Sequence, residues 1–141
     1  MAVRKIDTAS EFDIEFPRTC EWLKEAHSYT TNSISFDDII IGLNERDYQL
    51  WTTEHAACIT SITEWSGKRV CVLFLIGGEK GRAMSEILNE GQQAVEAYAR
   101  EHQCAGLLGI GRGLWKKVLP AFGFEVIATG VNDNTYYKDL G

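Results

Sequence analysis

The segment best suited to chemistry is a glycine-rich turn between an apolar run and a helical pattern. It reads Gly77-Gly78-Glu79-Lys80-Gly81-Arg82, and the helical pattern begins near Met84. Glycines permit positive φ and close approach of a ligand, and the free N–H groups at a helix start bind anions. Lys80 and Arg82 add positive charge to a chain whose net charge is −6. The turn therefore predicts a phosphate or pyrophosphate site, and a plain turn with two solvated basic residues is the alternative.

Two common phosphate motifs do not describe this turn. No G-K-[ST] ends it, as a P-loop requires, and it lacks the spacing G-x-G-x-x-G. A second turn of the same kind reads Gly109-Ile110-Gly111-Arg112-Gly113-Leu114-Trp115-Lys116-Lys117. Its Arg112 is placed to reach a phosphate or an acidic partner. A tight turn followed by a basic helix face explains these residues equally.

The cysteines and histidines do not form a metal-binding pattern. No C-x-x-C pair occurs among Cys20, Cys58, Cys71 and Cys104, and the three histidines are not closely paired. A structural zinc site needs ligands in close pairs, so we predict no metal. Free buried thiols are typical of a reducing compartment. We therefore expect a cytoplasmic protein, encoded by a cell or by something that replicates in one.

Length and composition predict one domain over residues 1–141. The chain is 45% hydrophobic, 24% charged and has two prolines, which excludes a low-complexity or disordered sequence. No apolar run approaches the roughly 20 residues of a membrane span, and no signal peptide is visible. The negative charge argues against a nucleic-acid partner.

Hydrophobic periodicity predicts a short strand, two helices, then three antiparallel strands. The strands cover residues 3–6, Tyr48–Thr53, Ala56–Trp65 and Arg69–Ile76, and the helices cover Pro17–Tyr29, with Pro17 in the first turn, and a segment capped by Ser35. Ser66-Gly67 is the turn of a hairpin. The run Val70–Ile76 is apolar at every position, which is typical of a central strand covered on both faces.

The second half predicts a parallel crossover and a closing hairpin. The elements are a helix from Met84 to about His102, a strand Ala105–Ile110, a short helix Leu114–Phe122 and strands Phe124–Thr129 and Thr135–Lys138. A long helix between two strands makes them parallel. The order β-α-α-β-β-β-α-β-α-β-β gives an α+β fold with a central mixed sheet flanked by helices.

This order resembles the GNAT superfamily of acyl-CoA-dependent N-acyltransferases. The family carries [Q/R]-x-x-G-x-[G/A] at the turn after its fourth strand, and residues 78–83 match it at Gly81 and Ala83, with Gly78 replacing Gln or Arg. The segment 119–124, ending Gly123-Phe124, is similar to the end of the family's fourth helix. Residues 3–13 are similar to its first strand and the start of its first helix.

The resemblance implies an acetyl-CoA or other acyl-CoA cofactor. Its binding residues would be Leu75, Ile76, Gly77, Gly78, Glu79, Lys80, Gly81, Arg82 and Ala83. Gly77 to Met84 would bind the pyrophosphate, and backbone N–H groups near Leu75 and Ile76 would polarise the thioester carbonyl. The pantetheine arm would enter where the fifth strand splays from the fourth.

Several positions depart from the family pattern, so no catalytic residue is assigned. Many members have a tyrosine general acid where this chain has Leu119, and the central strand has no carboxylate. Glu54 and Glu64 at strand ends are candidate bases, although solvent exposure explains both more simply. Tyr136 and Tyr137 are candidate substitutes for the acid, and alternation directs one of them inward.

Two functions follow from the resemblance. The first is an acyl-CoA-dependent N-acyltransferase. The second is a non-catalytic GNAT-like binding or assembly protein, for example a phage virion or morphogenesis component, because G-R-x-x-W is similar to small GNAT-like phage proteins. Such a protein would expose at least one of Trp22, Trp51, Trp65 and Trp115. An unrelated α/β domain that binds another phosphate ligand is a third alternative.

Overall fold

The structure, a computed structural model, describes residues 3–28, 34–79, 82–112, 119–129 and 133–140. The strands are β1 (Arg4–Lys5), β2 (Tyr48–Thr52), β3 (Ala56–Trp65), β4 (Lys68–Gly78), β5 (Gly106–Arg112), β6 (Glu125–Thr129) and β7 (Asp133–Asp139). The helices are α1 (Ala9–Ser28), α2 (Phe36–Asn44), a π-helix (Ala83–Glu90), α3 (Gln92–Glu101) and a 3₁₀ helix (Leu119–Phe122).

One seven-stranded mixed sheet organises the described residues, in the order β1-β2-β3-β4-β5-β7-β6. β4 and β5 are parallel, and the other neighbouring pairs are antiparallel. The prediction that the apolar run forms the central strand is confirmed. The predicted hairpin turn is also present, because Ser66 and Gly67 both have positive φ, as a type I′ turn requires.

The sheet separates two hydrophobic cores. On one face, α1 and α2 cover a cluster that includes Leu23, Ile39 and Ile59. On the other, the π-helix and α3 cover a cluster that includes Ile87 and Val95. Helices on both faces explain why Val70–Ile76 of β4 is apolar at every position, since the side chains of this part of the strand are buried or half-buried on both faces. The architecture is therefore the predicted helix-flanked mixed sheet.

A β-bulge in β4 reverses the faces to which its side chains point. Ile59 pairs with Leu75, whereas the next residue of β3, Thr60, pairs with Leu73, so Phe74 is the extra residue. Before the bulge, Leu73 belongs to the α3 side. After it, Leu75 belongs to the α1 side, and Phe74 packs there too. Two consecutive side chains thus share one face at this point.

The predicted start of the first helix is wrong. Helix α1 begins at Ala9, and Pro17 lies inside it. Thr8 and Glu11 form a reciprocal cap: Glu11 N–H donates to Thr8 Oγ1 at 3.1 Å, and Thr8 N–H donates to Glu11 Oε1 at 3.3 Å. This capping box fixes the helix start, as the resemblance of residues 3–13 implied. The predicted Ser35 cap of α2 is confirmed, because Asp38 N–H donates to Ser35 Oγ at 3.1 Å.

The helix predicted after β4 is divided in two. The π-helix ends at Glu90, and α3 starts at Gln92 beyond Gly91. The predicted parallel strand and the closing hairpin are present as β5 and as β6 with β7. β7 begins at Asp133, within the predicted turn. The predicted short helix is present at Leu119–Phe122 as a 3₁₀ turn, and residues 113–118 lie outside the described part.

The four cysteines are free thiols, as predicted. Cys58, Cys71 and Cys104 are buried, and Cys20 is partly buried. Burial raises the pKa of Cys71 to about 12, with the neighbouring Cys104 thiol as the second cause. Cys58, Cys71 and Cys104 therefore act as packing residues of the α3-side core.

Candidate functional site

β4 and β5 separate at their carboxyl ends. Their pairing runs from Val70 opposite Gly106 to Leu73 opposite Gly109 and stops there. β4 nevertheless continues to Gly78, paired with β3, and β5 continues to Arg112, paired with β7. The two central strands therefore diverge into a gap at the middle of the sheet.

The bulge lies at the mouth of this gap. Phe74, the extra residue, directly follows the last pair between β4 and β5. A bulge leaves its extra residue outside the regular ladder and bends the strand. The bend at Phe74 therefore accompanies the separation of β4 from β5. The ring of Phe74 packs edge-to-face against Tyr48 at 5.6 Å between centroids. The α1 side of the gap is therefore aromatic.

The glycines at the end of β4 are required by packing. A Cβ on Gly77 would lie 2.4 Å from the carbonyl oxygen of Trp22 in α1. A Cβ on Gly78 would lie 2.8 Å from the carbonyl oxygen of His55. Both residues belong to the regular strand, and the described glycines with positive φ are Gly67 and Gly123. The positive φ that glycine permits is therefore not adopted at these two positions, where the close approach of other backbone requires glycine.

The predicted cofactor-binding residues are partly brought together. Leu75, Ile76, Gly77 and Gly78 end β4, Glu79 follows, Arg82 caps the π-helix and Ala83 begins it. Arg82 N–H donates to Glu79 O at 2.8 Å, which tightens the turn. Lys80 and Gly81 lie outside the described residues.

A buried carboxylate in the π-helix joins this turn to the β2–β3 turn. Glu86 is 4% exposed, and its Oε1 accepts from Thr53 Oγ1 and, at 3.0 Å, from His55 N–H. Its Oε2 lies 3.6 Å from Arg82 Nη1. Burial raises the pKa of Glu86, but these hydrogen bonds and the charges of His55 and Arg82 outweigh it, so the pKa lies below its ordinary value. Sequence reasoning missed Glu86, which lies at an ordinary helical position.

Helix α1 holds the same β2–β3 turn from the other side. Arg18 donates to the carbonyl oxygens of Thr53 at 2.8 Å and Glu54 at 2.9 Å. Glu15 pairs with Arg18 at 2.9 Å and accepts from Thr52 Oγ1 at 2.7 Å. Hydrogen bonds to Arg18 and Thr52 lower the pKa of Glu15 against the opposing effect of burial.

The candidate general bases lie away from the bulge. Glu54 and Glu64 are exposed. Glu64 pairs with Arg69, five residues before Phe74, or about 16 Å along the strand. Glu54 lies beyond Ala56, whose partner Gly78 is four residues past Phe74, or about 13 Å away. Neither carboxylate is placed to reach a group bound at the bulge.

The two candidate tyrosines point to opposite faces, as predicted. Tyr136 pairs with Gly109 at the level of the gap, is fully buried, and its hydroxyl accepts from Asn134 Nδ2 at 3.3 Å. Tyr137 stacks on Trp65 at 5.8 Å, and its hydroxyl is close to Gly106 at the far end of β5. Burial raises the pKa of Tyr137. Leu119 is buried in the α3-side core.

The described tryptophans are packed. Trp51 is in the core and donates from Nε1 to Thr60 Oγ1 at 2.9 Å. Trp22 lies beneath Arg18, whose guanidinium is 5.8 Å from the ring centroid, and Trp65 is partly buried. Trp115 and the rest of segment 113–117 lie outside the described residues, as does the side chain of Arg112.

A separate cavity of about 300 Å³ lies toward the β1 edge of the sheet. Residues of β1, α1, α2 and β2 line it, together with Tyr98. Its two cations have partners, since Lys5 Nζ donates to Asp7 and Arg46 Nη1 donates to the Asp7 carbonyl oxygen. Residues of β4 and β5 do not line it, so it is distinct from the gap.

Within the described residues, no group of three or more histidine, cysteine, aspartate or glutamate side chains is arranged to hold a metal ion. The helices in the same part of the chain are too short or too polar to cross a membrane.

Comparison of the fold with solved structures identifies its relatives by shape. A chain of the NatC complex bound to Gag peptide and CoA aligns with TM-score 0.70 over 100% of both chains at 9% identity. A probable acetyltransferase from Staphylococcus epidermidis aligns with TM-score 0.66 over 99% of this chain and 98% of that chain at 17% identity. A Bacillus subtilis acetyltransferase in complex with CoA aligns with TM-score 0.65 over 99% of both at 10% identity.

No family model and no curated protein matches the sequence. The shape comparison extends over nearly the whole chain, and the relatives named above are acetyltransferases or a complex with CoA. The chain therefore has the fold of the GNAT acetyltransferases.

Proposed function

We propose that this protein is an N-acyltransferase that uses acetyl-CoA or another acyl-CoA. The observation that carries the proposal is the coincidence of the Phe74 bulge with the point where β4 and β5 diverge. Two structural neighbours with this fold were solved with CoA.

The bulge supplies a place for the thioester. Beyond the last pair between β4 and β5, an N–H group of β4 that points toward β5 no longer has that strand as a partner and can donate to a carbonyl oxygen. Leu75 and Ile76 still pair with Ile59 and Cys58 of β3 on the other side, and successive N–H groups point to opposite edges of a strand. The one of these two N–H groups that points into the gap would donate to the thioester carbonyl and stabilise the negative charge that develops on its oxygen during attack by the amine.

The gap supplies a place for the pantetheine arm. Beyond Leu73 and Gly109 the facing edges of β4 and β5 no longer pair with one another. Backbone polar groups along such edges need other partners, and the amides of pantetheine provide both donors and acceptors. The arm would lie beside β4 and replace the missing strand contacts.

The turn after β4 would bind the pyrophosphate. It comprises residues 77–83, including the basic residues Lys80 and Arg82, and it leads into the π-helix. The helix start contributes N–H groups, and the two cations contribute charge. This assignment is the one that the resemblance to the family implied.

Acid and base assistance is weak in this chain. Leu119 has no proton to donate, and Glu54 and Glu64 are distant from the bulge. Loss of such assistance typically costs 10²–10⁴ in rate. Transfer would therefore depend on positioning and backbone polarisation, with an acceptor amine that arrives deprotonated.

Calorimetric titration with acetyl-CoA and CoA tests the proposal. We expect micromolar binding by the parent protein and at least tenfold weaker binding by the double variant Lys80→Ala/Arg82→Ala, because each cation contributes a charge-assisted contact to the pyrophosphate. Release of CoA thiol in the presence of a panel of primary amines then tests transfer.

The matched control is Lys24→Ala/Arg100→Ala, which removes two cations of α1 and α3 whose exposure is like that of Arg82. This variant should bind CoA like the parent. Absence of heat at millimolar CoA would overturn the enzyme proposal, leave the fold unchanged and favour a binding or assembly role.

A further inference from the structure

The β2–β3 turn is attached to the segment that follows β4 at several points. Thr53 Oγ1 and His55 N–H both donate to the buried Glu86 of the π-helix. Glu79 N–H donates to His55 O at 2.9 Å, and His55 Nδ1 lies 3.0 Å from Glu79 Oε2. The β2–β3 turn thus contacts Glu79 within the glycine-rich turn and Glu86 just beyond it.

The position of Glu86 is electrostatically unfavourable for the proposed anion. Glu86 is one helical turn beyond Arg82, whose guanidinium it approaches, so its negative charge opposes a pyrophosphate bound at the helix start. Its low pKa keeps it ionised at neutral pH. Any contribution of Glu86 to anion binding must therefore come from its hydrogen bonds, because its negative charge would repel the anion.

We propose that Glu86 is a positioning residue for the acyl-CoA pyrophosphate. It anchors the start of the π-helix to the β2–β3 turn, and α1 anchors that turn through Arg18. The described ends of the glycine-rich turn, Glu79 and Arg82, are then held in place before the ligand arrives, which reduces the ordering cost of binding. This inference rests on the proposed function and assigns one further residue to that site.

Three variants separate the hydrogen bonds of Glu86 from its charge. Glu86→Leu removes the acceptor and the negative charge, Glu86→Gln removes the charge but keeps an accepting Oε1, and Thr53→Val removes one donor from the other side. If Glu86 positions the site, Glu86→Leu weakens CoA binding about tenfold, the order expected for loss of buried hydrogen bonds. Glu86→Gln stays within about threefold of the parent, and Thr53→Val weakens binding in the same direction as Glu86→Leu.

If only the charge of Glu86 mattered, Glu86→Leu would bind CoA more tightly than the parent. Removal of a negative charge near an anion strengthens binding, so tighter or unchanged CoA binding by Glu86→Leu would overturn the proposal. Titration with pantetheine, which lacks the pyrophosphate, provides the second readout. The proposal requires that Glu86→Leu leave pantetheine affinity unchanged, and an equal loss for both ligands would indicate general damage and overturn it.

Glu96→Leu is the matched control. Glu96 is also a largely buried helical carboxylate with hydrogen-bonded partners, but these partners are Gln92 of α3 itself and Lys138 of β7. The Glu96→Leu variant should be less stable than the parent protein but should bind CoA with the same affinity. If the parent binds CoA no better than pantetheine, the pyrophosphate site itself is wrong and both proposals fail; if the parent discriminates and Glu86→Leu does too, the positioning role alone fails.

Discussion

At the residue scale, the end of β4 has no room for side chains at two positions. Gly77 faces the carbonyl oxygen of Trp22, and Gly78 faces that of His55. A methyl group at either position would require the α1 backbone or the β2–β3 turn to move. Of the two glycines that predict a ligand site from sequence, Gly77 therefore also allows helix α1, and Gly78 the β2–β3 turn, to lie close to β4.

Gly77→Ala should lower the free energy of unfolding by about 1–3 kcal/mol, the usual cost of overpacking, because the 2.4 Å contact is with backbone. Urea unfolding measures this. Gly109→Ala is the control, since its Cβ would lie 3.9 Å from Tyr136 Cβ, an ordinary contact. Equal losses in the two variants would contradict the steric explanation.

The residues of the candidate site were only partly visible in the sequence. The glycine-rich turn was identified by composition and by its place before a helix. Glu86 was not, because its partners Thr53 and His55 are 33 and 31 residues away along the chain. A helical glutamate is normally exposed to solvent. Glu86 is buried because the β2–β3 turn packs against the π-helix at this position.

At the element scale, helix α1 shows two local signals in competition. The apolar stripe and Pro17 together favour a start at Pro17, since proline is common in a first helical turn. The capping box of Thr8 and Glu11 starts the helix eight residues earlier. Pro17 is then an interior residue that has no N–H to donate to Asp13 O, so one helical hydrogen bond is missing. Burial of Leu23 against the sheet offsets this loss of stability.

Pro17→Ala should raise the free energy of unfolding by about 1–3 kcal/mol, because alanine restores the missing N–H and relieves the ring clash with the preceding turn. Thermal and urea unfolding report the change. Ile14→Ala, at an exposed position of the same helix, should shift stability by less than about 0.5 kcal/mol. An unchanged or less stable Pro17→Ala would mean that the helix requires a bend there.

The β4 bulge shows why strand register cannot be predicted from an apolar run such as Val70–Ile76. Alternation of polar and apolar residues reports which face a side chain occupies, but Val70–Ile76 offers no polar residue to mark the phase. The faces reverse at Phe74 without any change in hydrophobicity. Pairing with β3 and β5 determines where the extra residue lies.

At the scale of the whole molecule, polar contacts tie the second helical layer to the far strands. Lys138 of β7 donates from Nζ to Glu96 of α3 at 2.7 Å. Gln92 donates to the same carboxylate at 2.7 Å. Burial opposes ionisation of Glu96, but these hydrogen bonds and the Lys138 and Arg100 charges outweigh it and lower the pKa.

A lowered pKa makes stability depend on pH with a defined sign. The ionised Glu96 stabilises the fold above its ordinary pKa of 4.5, and this contribution is lost as pH falls through the lower pKa of the folded state. Glu96→Gln should therefore be less stable than the parent at pH 7, by about 1 kcal/mol. The difference should shrink toward pH 3, and melting temperatures between these pH values measure it. A difference that stays constant with pH would contradict the assignment.

The sequence by itself determined the order of elements, the central position of β4 and the mixed sheet between helices, because hydrophobic periodicity and turn residues act over short distances. It also located the glycine-rich turn. Tertiary structure alone decided the bulge at Phe74, the divergence of β4 from β5 and the burial of Glu86. These features depend on pairing and packing between residues far apart in the chain, and a local pattern carries no record of such contacts.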